Sequence, residues 1–265
     1  MIRFISISSG SNGNCYYIGN EFVSLLIDVG VGARTIKKRL LEYSIPIESI
    51  SFVLVTHDHI DHIKHLGAFT DRYKIPVIAS EKLHNSFITH PCTRGCMDGC
   101  RKIVENGKNF DYAGVSVTPF EVPHDATETL GYYIDFCGEK FTVITDAGRV
   151  TKEMIHFSQM ASHLILESNY DNKMLVEGNY PKMLIDRIKN GHGHLCNKQT
   201  ADAIKEIYHP EMKNLFLCHL SENNNTPELA YESARSSLLE IGVCEGRDIN
   251  IKCLPRRGTY CYIVK

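Results

Sequence analysis

Short apolar runs separated by turn residues dominate the first half of the chain, and stretches of helical period follow each block of them. Residues 2–8 form a β-branched, apolar run that closes on the turn-dense segment Ser8-Ser9-Gly10-Ser11-Asn12-Gly13-Asn14, and residues 15–18 and 22–27 predict two more strands around Gly19-Asn20. Ile36, Leu40 and Tyr43 share one helical face of ARTIKKRLLEY, and the basic Lys37, Lys38 and Arg39 read as its solvated face. A buried strand over 51–55 delivers the chain directly into His57. Strands are predicted again over 77–79 and in GVSVTPFEV, TLGYYIDF and KFTVITD. In the last third MIHFSQM, PKMLIDRIKN and QTADAIKEIY have helical spacing, whereas HLILES and NLFLCHL read as buried strands. Thr226 as N-cap, with Pro227 at the first helical position, opens a further helix that ends at Gly242.

Strands gathered into two blocks with helices after each predict an α/β protein whose two sheets pack face to face under outer helices, a four-layer αββα sandwich. No solenoid repeat and no linker rich in Pro, Gly or Ser interrupts it, so residues 1–265 are expected to form one domain, with a cysteine-containing insertion or loop over 80–110.

Composition narrows the classes. With 43% hydrophobic residues, 23% charged residues and a formal net charge of -2, the chain is an ordinary globular protein and not a charge-driven nucleic-acid binder, so any polyanionic substrate must be held locally. The N-terminal stretch lacks an apolar run of signal-peptide length, and nowhere do 18 consecutive apolar residues occur, which predicts a cytoplasmic protein without a membrane partner. The ten cysteines are then expected to be reduced thiols.

The segment VTHDHIDHIKH, from Val55 to His65, concentrates the candidate chemistry. As a continuous helix it would put His57 and Asp61 on one face and His59 and His62 on another, so no single metal ion could collect His57 and His59. If the strand instead ends at Thr56, His57 and His59 project from a loop while Asp61 and His62 open a helix, an arrangement with ligands for two adjacent ions. Further candidates stand just past apolar strands: His124 after Val122-Pro123, Asp146 after Val143-Ile144-Thr145, and His219 after Leu217-Cys218.

HDHIDH, the single His124, TDAG with Asp146 and CHLS with His219, preceded by Asp28 in LLIDVG, resemble the ordered signature of the metallo-β-lactamase-fold hydrolases. The resemblance spans residues 28–219 and implies that His57, His59 and His124 bind one metal ion, that Asp61, His62 and His219 bind a second, and that Asp146 bridges them. Asp28 would orient the histidine loop without binding metal. Two divalent ions per chain are expected, zinc first, with manganese or iron as alternatives. Such a pair can lower the pKa of a bridging water and clamp a phosphoester in an in-line displacement, but it can equally attack a lactam or thioester.

Glu167-Ser168-Asn169, Gly193-His194-Leu195-Cys196-Asn197 and the stretch from His219 to Asn224 together resemble the YycJ or WalJ branch of that superfamily, linked to exonuclease action on DNA. The expected function is therefore a phosphodiester hydrolase, a 5′-3′ exonuclease with DNA favoured over RNA. Asp61 and His194 would be catalytic, His194 as proton donor to the leaving oxygen, and Ser11, Asn12, Ser221, Asn223 and Asn224 would contact substrate. Cys196 stands where the branch usually carries Ser. Lys182, Arg187, Lys189, Lys198, Arg256 and Arg257 are available to hold phosphates. Three alternatives stay open: a small-molecule ester, thioester or lactam hydrolase; a tRNA 3′-processing nuclease, disfavoured because no long inserted arm is present; and a non-catalytic metal-binding regulator of two-component signalling. His65, His84, His90, His156, His163, His192 and His209 are read as ordinary surface histidines. Cys92, Cys96 and Cys100 fall at helical spacing, but Pro91, Gly95 and Gly99 favour a loop over a helix, and the absence of C-x-x-C pairs disfavours a small zinc or redox site with His90 or Asp98 as fourth ligand.

Overall fold

The computed structural model describes residues 1–264. Element order is β1 (Arg3–Ser8), β2 (Cys15–Gly19), β3 (Ser24–Ile27), α1 (Ala33–Leu41), β4 (Phe52–Leu54), α2 (Ile60–Ile63), α3 (Leu66–Tyr73), β5 (Val77–Ser80), α4 (Glu81–Thr89), β6 (Arg101–Val104) and β7 (Phe110–Tyr112). Then follow β8 (Val115–Glu121), β9 (Leu130–Phe136), β10 (Glu139–Ile144), α5 (Lys152–Ser158), β11 (His163–Glu167), α6 (Asn172–Glu177), α7 (Lys182–Lys189), α8 (Asn197–Ile207), β12 (Asn214–Cys218), α9 (Pro227–Glu240), β13 (Asn250–Cys253) and β14 (Tyr260–Ile263). Contacts cluster into two units: residues 1–114 with 126–128 and the segment from Pro255 on, and residues 115–125 with 129–254. Among the described residues no helix is long and apolar enough to cross a membrane.

The first unit holds a sheet in the order β14-β1-β2-β3-β4-β5-β6. Pairing is antiparallel from β14 to β3 and parallel from β3 to β6. Every residue of β3 and β4 is buried, which is why SLLI and FVL show no polar alternation. At the outer edge β6 carries the exposed Arg101 and Lys102, charges that discourage further strand pairing. The 80–110 stretch thus contributes α4 and an edge strand around a loop, and Gly95 (φ 74°) and Gly99 (φ 75°) hold that loop in the left-handed region that excludes a helix. Arg39, expected in solvent, instead donates to the carbonyls of Ile7 and Gly258.

In the second unit strands run in the order β13-β12-β11-β10-β9-β8, parallel from β10 to β13 and antiparallel from β8 to β10. Leu164, Leu166, Leu215 and Leu217 pack with Ile204 and Ile207 of α8 and with Ala234 and Leu238 of α9. Thr226 caps α9 by accepting from the Leu229 N–H, as its sequence predicts. Cys196 caps α8: its sulfur accepts from the Gln199 backbone while the Gln199 side chain accepts from the Cys196 N–H. Cys196→Ala is therefore expected to cost about 1 kcal/mol in urea unfolding, whereas Cys196→Ser keeps the cap and leaves stability level or slightly higher. Two histidines expected at the surface are buried: His84, which bonds the Lys102 carbonyl, and His163 at the start of β11.

Candidate functional site

In the first unit β4 stops at Leu54 and α2 begins at Ile60, so His57 and His59 lie on the connecting loop and Asp61 and His62 on the first helical turn. The chain thus adopts the strand-loop-helix geometry. Ring centres of His57 lie 4.8 Å from His59 and 4.0 Å from His62. Asp28, fully buried after β3 with a left-handed backbone (φ 61°), orients this loop. Its carboxylate accepts the Thr56 N–H (2.8 Å), the Thr56 hydroxyl (2.8 Å) and His62 Nδ1 (2.7 Å). A carboxylate here can only accept, so His62 carries its proton on Nδ1 and keeps the lone pair on Nε2. Thr56 has already committed its one proton to Asp28, so at 3.0 Å it accepts from His57 Nδ1, and His57 likewise keeps the Nε2 lone pair. His62 Nε2 stands 3.4 Å from Asp61 Oδ2. Nearby Asp58 ties Thr127 through that residue's N–H and hydroxyl; burial opposes its charge, but these bonds win and hold its pKa low.

The second unit sends four strand ends to one edge, because β9 returns the chain between β8 and β10 and the parallel β10, β11 and β12 share a direction. Just past them stand His124, Asp146 and His219, and Glu167 ends β11. Glu167, fully buried, organises the site. Oε1 accepts from His194 Nδ1 (2.7 Å) and His219 Nδ1 (3.1 Å), and Oε2 from the N–H groups of Leu195 (2.9 Å) and Ala147 (3.0 Å). Four donors fill its four lone-pair positions, so Glu167 anchors the histidines and is not itself a metal ligand. Burial works against its charge, yet His194 and the hydrogen bonds from both imidazoles outweigh it and lower its pKa. For His194 burial likewise opposes the charged form, while Glu167 and then Asp146 favour it and raise its pKa. His219, at φ 52°, also points Nδ1 at Asp146 Oδ1, 3.1 Å away. His124 donates from Nδ1 to the Gly193 carbonyl at 2.7 Å. That contact needs a glycine: a Cβ on Gly193 would stand 2.2 Å from the Ile188 carbonyl oxygen.

These donors fit divalent metal ions. His57, His62, His124 and His219 all bind their surroundings through Nδ1 and retain Nε2 as a ligand atom, the arrangement in which a partner group fixes tautomer and ring orientation.

The beta-lactamase superfamily domain matches residues 24–219. The chain belongs to the beta-lactamase superfamily. It is 34% identical over 250 residues to the Exodeoxyribonuclease YycJ of Bacillus anthracis, covering 94% of each chain. It is 30% identical over 250 residues to the Exodeoxyribonuclease WalJ of Streptococcus pneumoniae serotype 2 (strain D39), covering 94% of this chain and 93% of that one. The metallo-beta-lactamase fold protein YhfI of Bacillus subtilis superposes with a TM-score of 0.70 at 17% identity, covering 98% of this chain and 99% of YhfI. The metallo-β-lactamase-like α/β fold expected from the sequence is thus the fold observed, and this member of the beta-lactamase superfamily is a hydrolase.

The remaining predicted residues differ in their surroundings. Ser11 and Asn12 are exposed at the tip of the loop before β2. Asn223 is exposed and donates to the Tyr180 hydroxyl at 3.2 Å, and Ser221 accepts from the Asn224 N–H through its hydroxyl. Asn224 is buried, with its carbonyl engaged by the Asp171 N–H, and so shapes its own turn. Sequence reasoning missed a buried amide network: Asn225 donates to the Ser168 and Asn169 carbonyls and to Asn197, joining the end of β11 to the start of α8. Of the candidate phosphate-holding cations, Arg187 is paired with Asp125, whereas Lys182 and Lys189 are exposed on α7.

Proposed function

We propose that this hydrolase is a dinuclear metal-dependent nuclease, one domain over 1–265, acting in the cytoplasm on DNA as a 5′-3′ exonuclease. His57, His59 and His124 would hold one divalent ion and Asp61, His62 and His219 the other, with Asp146 shared. The observation that carries this reading is the common orientation of His57, His62, His124 and His219, each tied through Nδ1 with Nε2 kept as a ligand atom. The names of relatives 30–34% identical over nearly the whole chain support the substrate class.

Two bound divalent ions, zinc before manganese or iron, supply a nucleophile near neutral pH and neutralise charge on the phosphate. The chain's own residues do the rest. His194, held by Glu167 through Nδ1 with its pKa raised by that carboxylate, would present an Nε2 proton for the leaving oxygen. Asp61 orients the attacking group and holds its proton. Ser11, Asn12, Ser221 and Asn223 line the approach, and Lys182 and Lys189 meet backbone phosphates.

The test is hydrolysis of single- and double-stranded DNA and RNA, labelled at either end, with Zn²⁺ or Mn²⁺, alongside His59→Ala and His194→Ala. Stepwise release of nucleotides from the 5′ end of DNA is expected, with His59→Ala inactive and His194→Ala slowed by about 100-fold or more. Turnover of a thioester or lactam without nucleic-acid cleavage would move the function to small molecules. Two bound ions without any hydrolysis would make the protein a regulator.

A further inference from the structure

Asn14, the last residue of the loop before β2, is fully buried and grips Asp61 twice. Its backbone N–H donates to the Asp61 carbonyl at 2.7 Å, and its side-chain Nδ2 donates to Asp61 Oδ2 at 3.1 Å. The second amide hydrogen meets His62 Nε2 at 2.9 Å. The amide cannot be turned round, because Oδ1 accepts the Gly10 N–H at 2.8 Å, and an NH2 group in that position would face another donor. The junction is tight on its other side as well. Gly30 donates to the Asn14 carbonyl at 2.9 Å, and a Cβ on Gly30 would stand 1.8 Å from the Asp61 carbonyl oxygen. Three loops, 10–14, 28–30 and 57–62, therefore meet at Asn14.

We propose that Asn14 is a positioning residue for the metal position formed by Asp61 and His62, an inference that rests on the ligand assignment above. Its amide fixes the plane of the Asp61 carboxylate through Oδ2 and places its positive edge against both the carboxylate and the His62 lone pair. That edge stands in for the cation until one binds. With an ion held by His62 Nε2, the amide would keep its bond to Asp61 and hold that side chain in its present rotamer.

The test measures metal binding to the chelator-stripped full chain, without any assay of turnover. Zn²⁺ or Mn²⁺ affinity and stoichiometry are followed by competition with a coloured chelator for wild type, Asn14→Ala, Asn14→Asp and Asp61→Ala. Wild type is expected to take up two ions. Asn14→Ala should weaken one of them by about tenfold or more, the same one that Asp61→Ala removes, and leave the other unchanged. A merely structural role would lower the melting temperature without this selectivity, so equal weakening of both ions, or none, overturns the inference. If Asn14→Ala fails to fold, Asn14→Asp decides: it keeps an acceptor for Gly10 and the backbone junction, and a shift confined to the Asp61 ion is required. If Asp61→Ala itself leaves both ions bound as in wild type, the ligand assignment has failed first, and the Asn14 inference falls with it.

Discussion

Glu167→Gln is expected to lower the unfolding free energy by about 3–5 kcal/mol and activity by about 10- to 100-fold, although it replaces one oxygen with nitrogen. Each carboxylate oxygen accepts two N–H donors, from His194 and His219 on one side and from Ala147 and Leu195 on the other. Whichever way the amide turns, its NH2 faces one of these pairs, and two buried donors lose their acceptor. The loss of charge also removes from His194 the partner that raises its pKa. The sign of the pH effect is fixed by the lowered pKa of Glu167. Its stabilisation is present above the ordinary glutamate value of 4.5 and is lost only as pH falls through the lower folded value. Urea unfolding at pH 7 and at pH 4 would show the variant less stable at both, with the gap narrowing only toward the acid end. A variant within about 1 kcal/mol of wild type at pH 7 would refute the anchoring role.

The strands around β3, β4, β11 and β12 could be read because they are buried on both faces and therefore appear as unbroken apolar runs. The start of α9 could be read because Thr226 and Pro227 carry local chemistry that needs no tertiary partner. β6 could not: RKIV is a charged edge strand whose identity comes from pairing with β5 across a long loop. Metal-capable histidines stood out through their spacing, whereas the groups that aim them did not. Glu167 closes an apolar strand in the same way that Asp146 follows one, a signal available in HLILES but easily taken for a solvated strand end. Asn14 gave no signal, since an asparagine in a turn-rich loop is the ordinary reading, and only the approach of Gly30 and Asp61 shows what its side chain does. Arg39 and His163 misled for the same reason, because long-range partners and not local sequence decide whether a polar side chain is solvated.

The second large effect concerns His163, remote in sequence from every candidate ligand and fully buried at the opposite end of β11 from Glu167. Its Nε2 donates to Glu139 at 3.0 Å and its Nδ1 accepts from the Asn214 amide at 2.9 Å, so the neutral ring is fully satisfied. Protonation would set an N–H on Nδ1 against the Asn214 donor. Burial depresses the pKa of His163 to about 4, with the charge and hydrogen bond of Glu139 offsetting only part of that and Lys213 adding to it. In the unfolded chain the imidazole returns to its ordinary value of 6.5, so between those limits the unfolded state binds a proton that the native state does not. Stability contributed by His163 is thus whole above pH 6.5 and falls as the pH drops toward 4, by about 3 kcal/mol in total. The measurement is the difference between wild type and His163→Gln across pH 7 to 4.5, with the same metal content in both. Gln keeps a donor for Glu139 without a titrating ring. At pH 7 wild type should be the more stable of the two, and its advantage should shrink steadily as the pH falls. A difference that stays constant over that range to within about 0.5 kcal/mol would show that His163 is not held neutral by the fold.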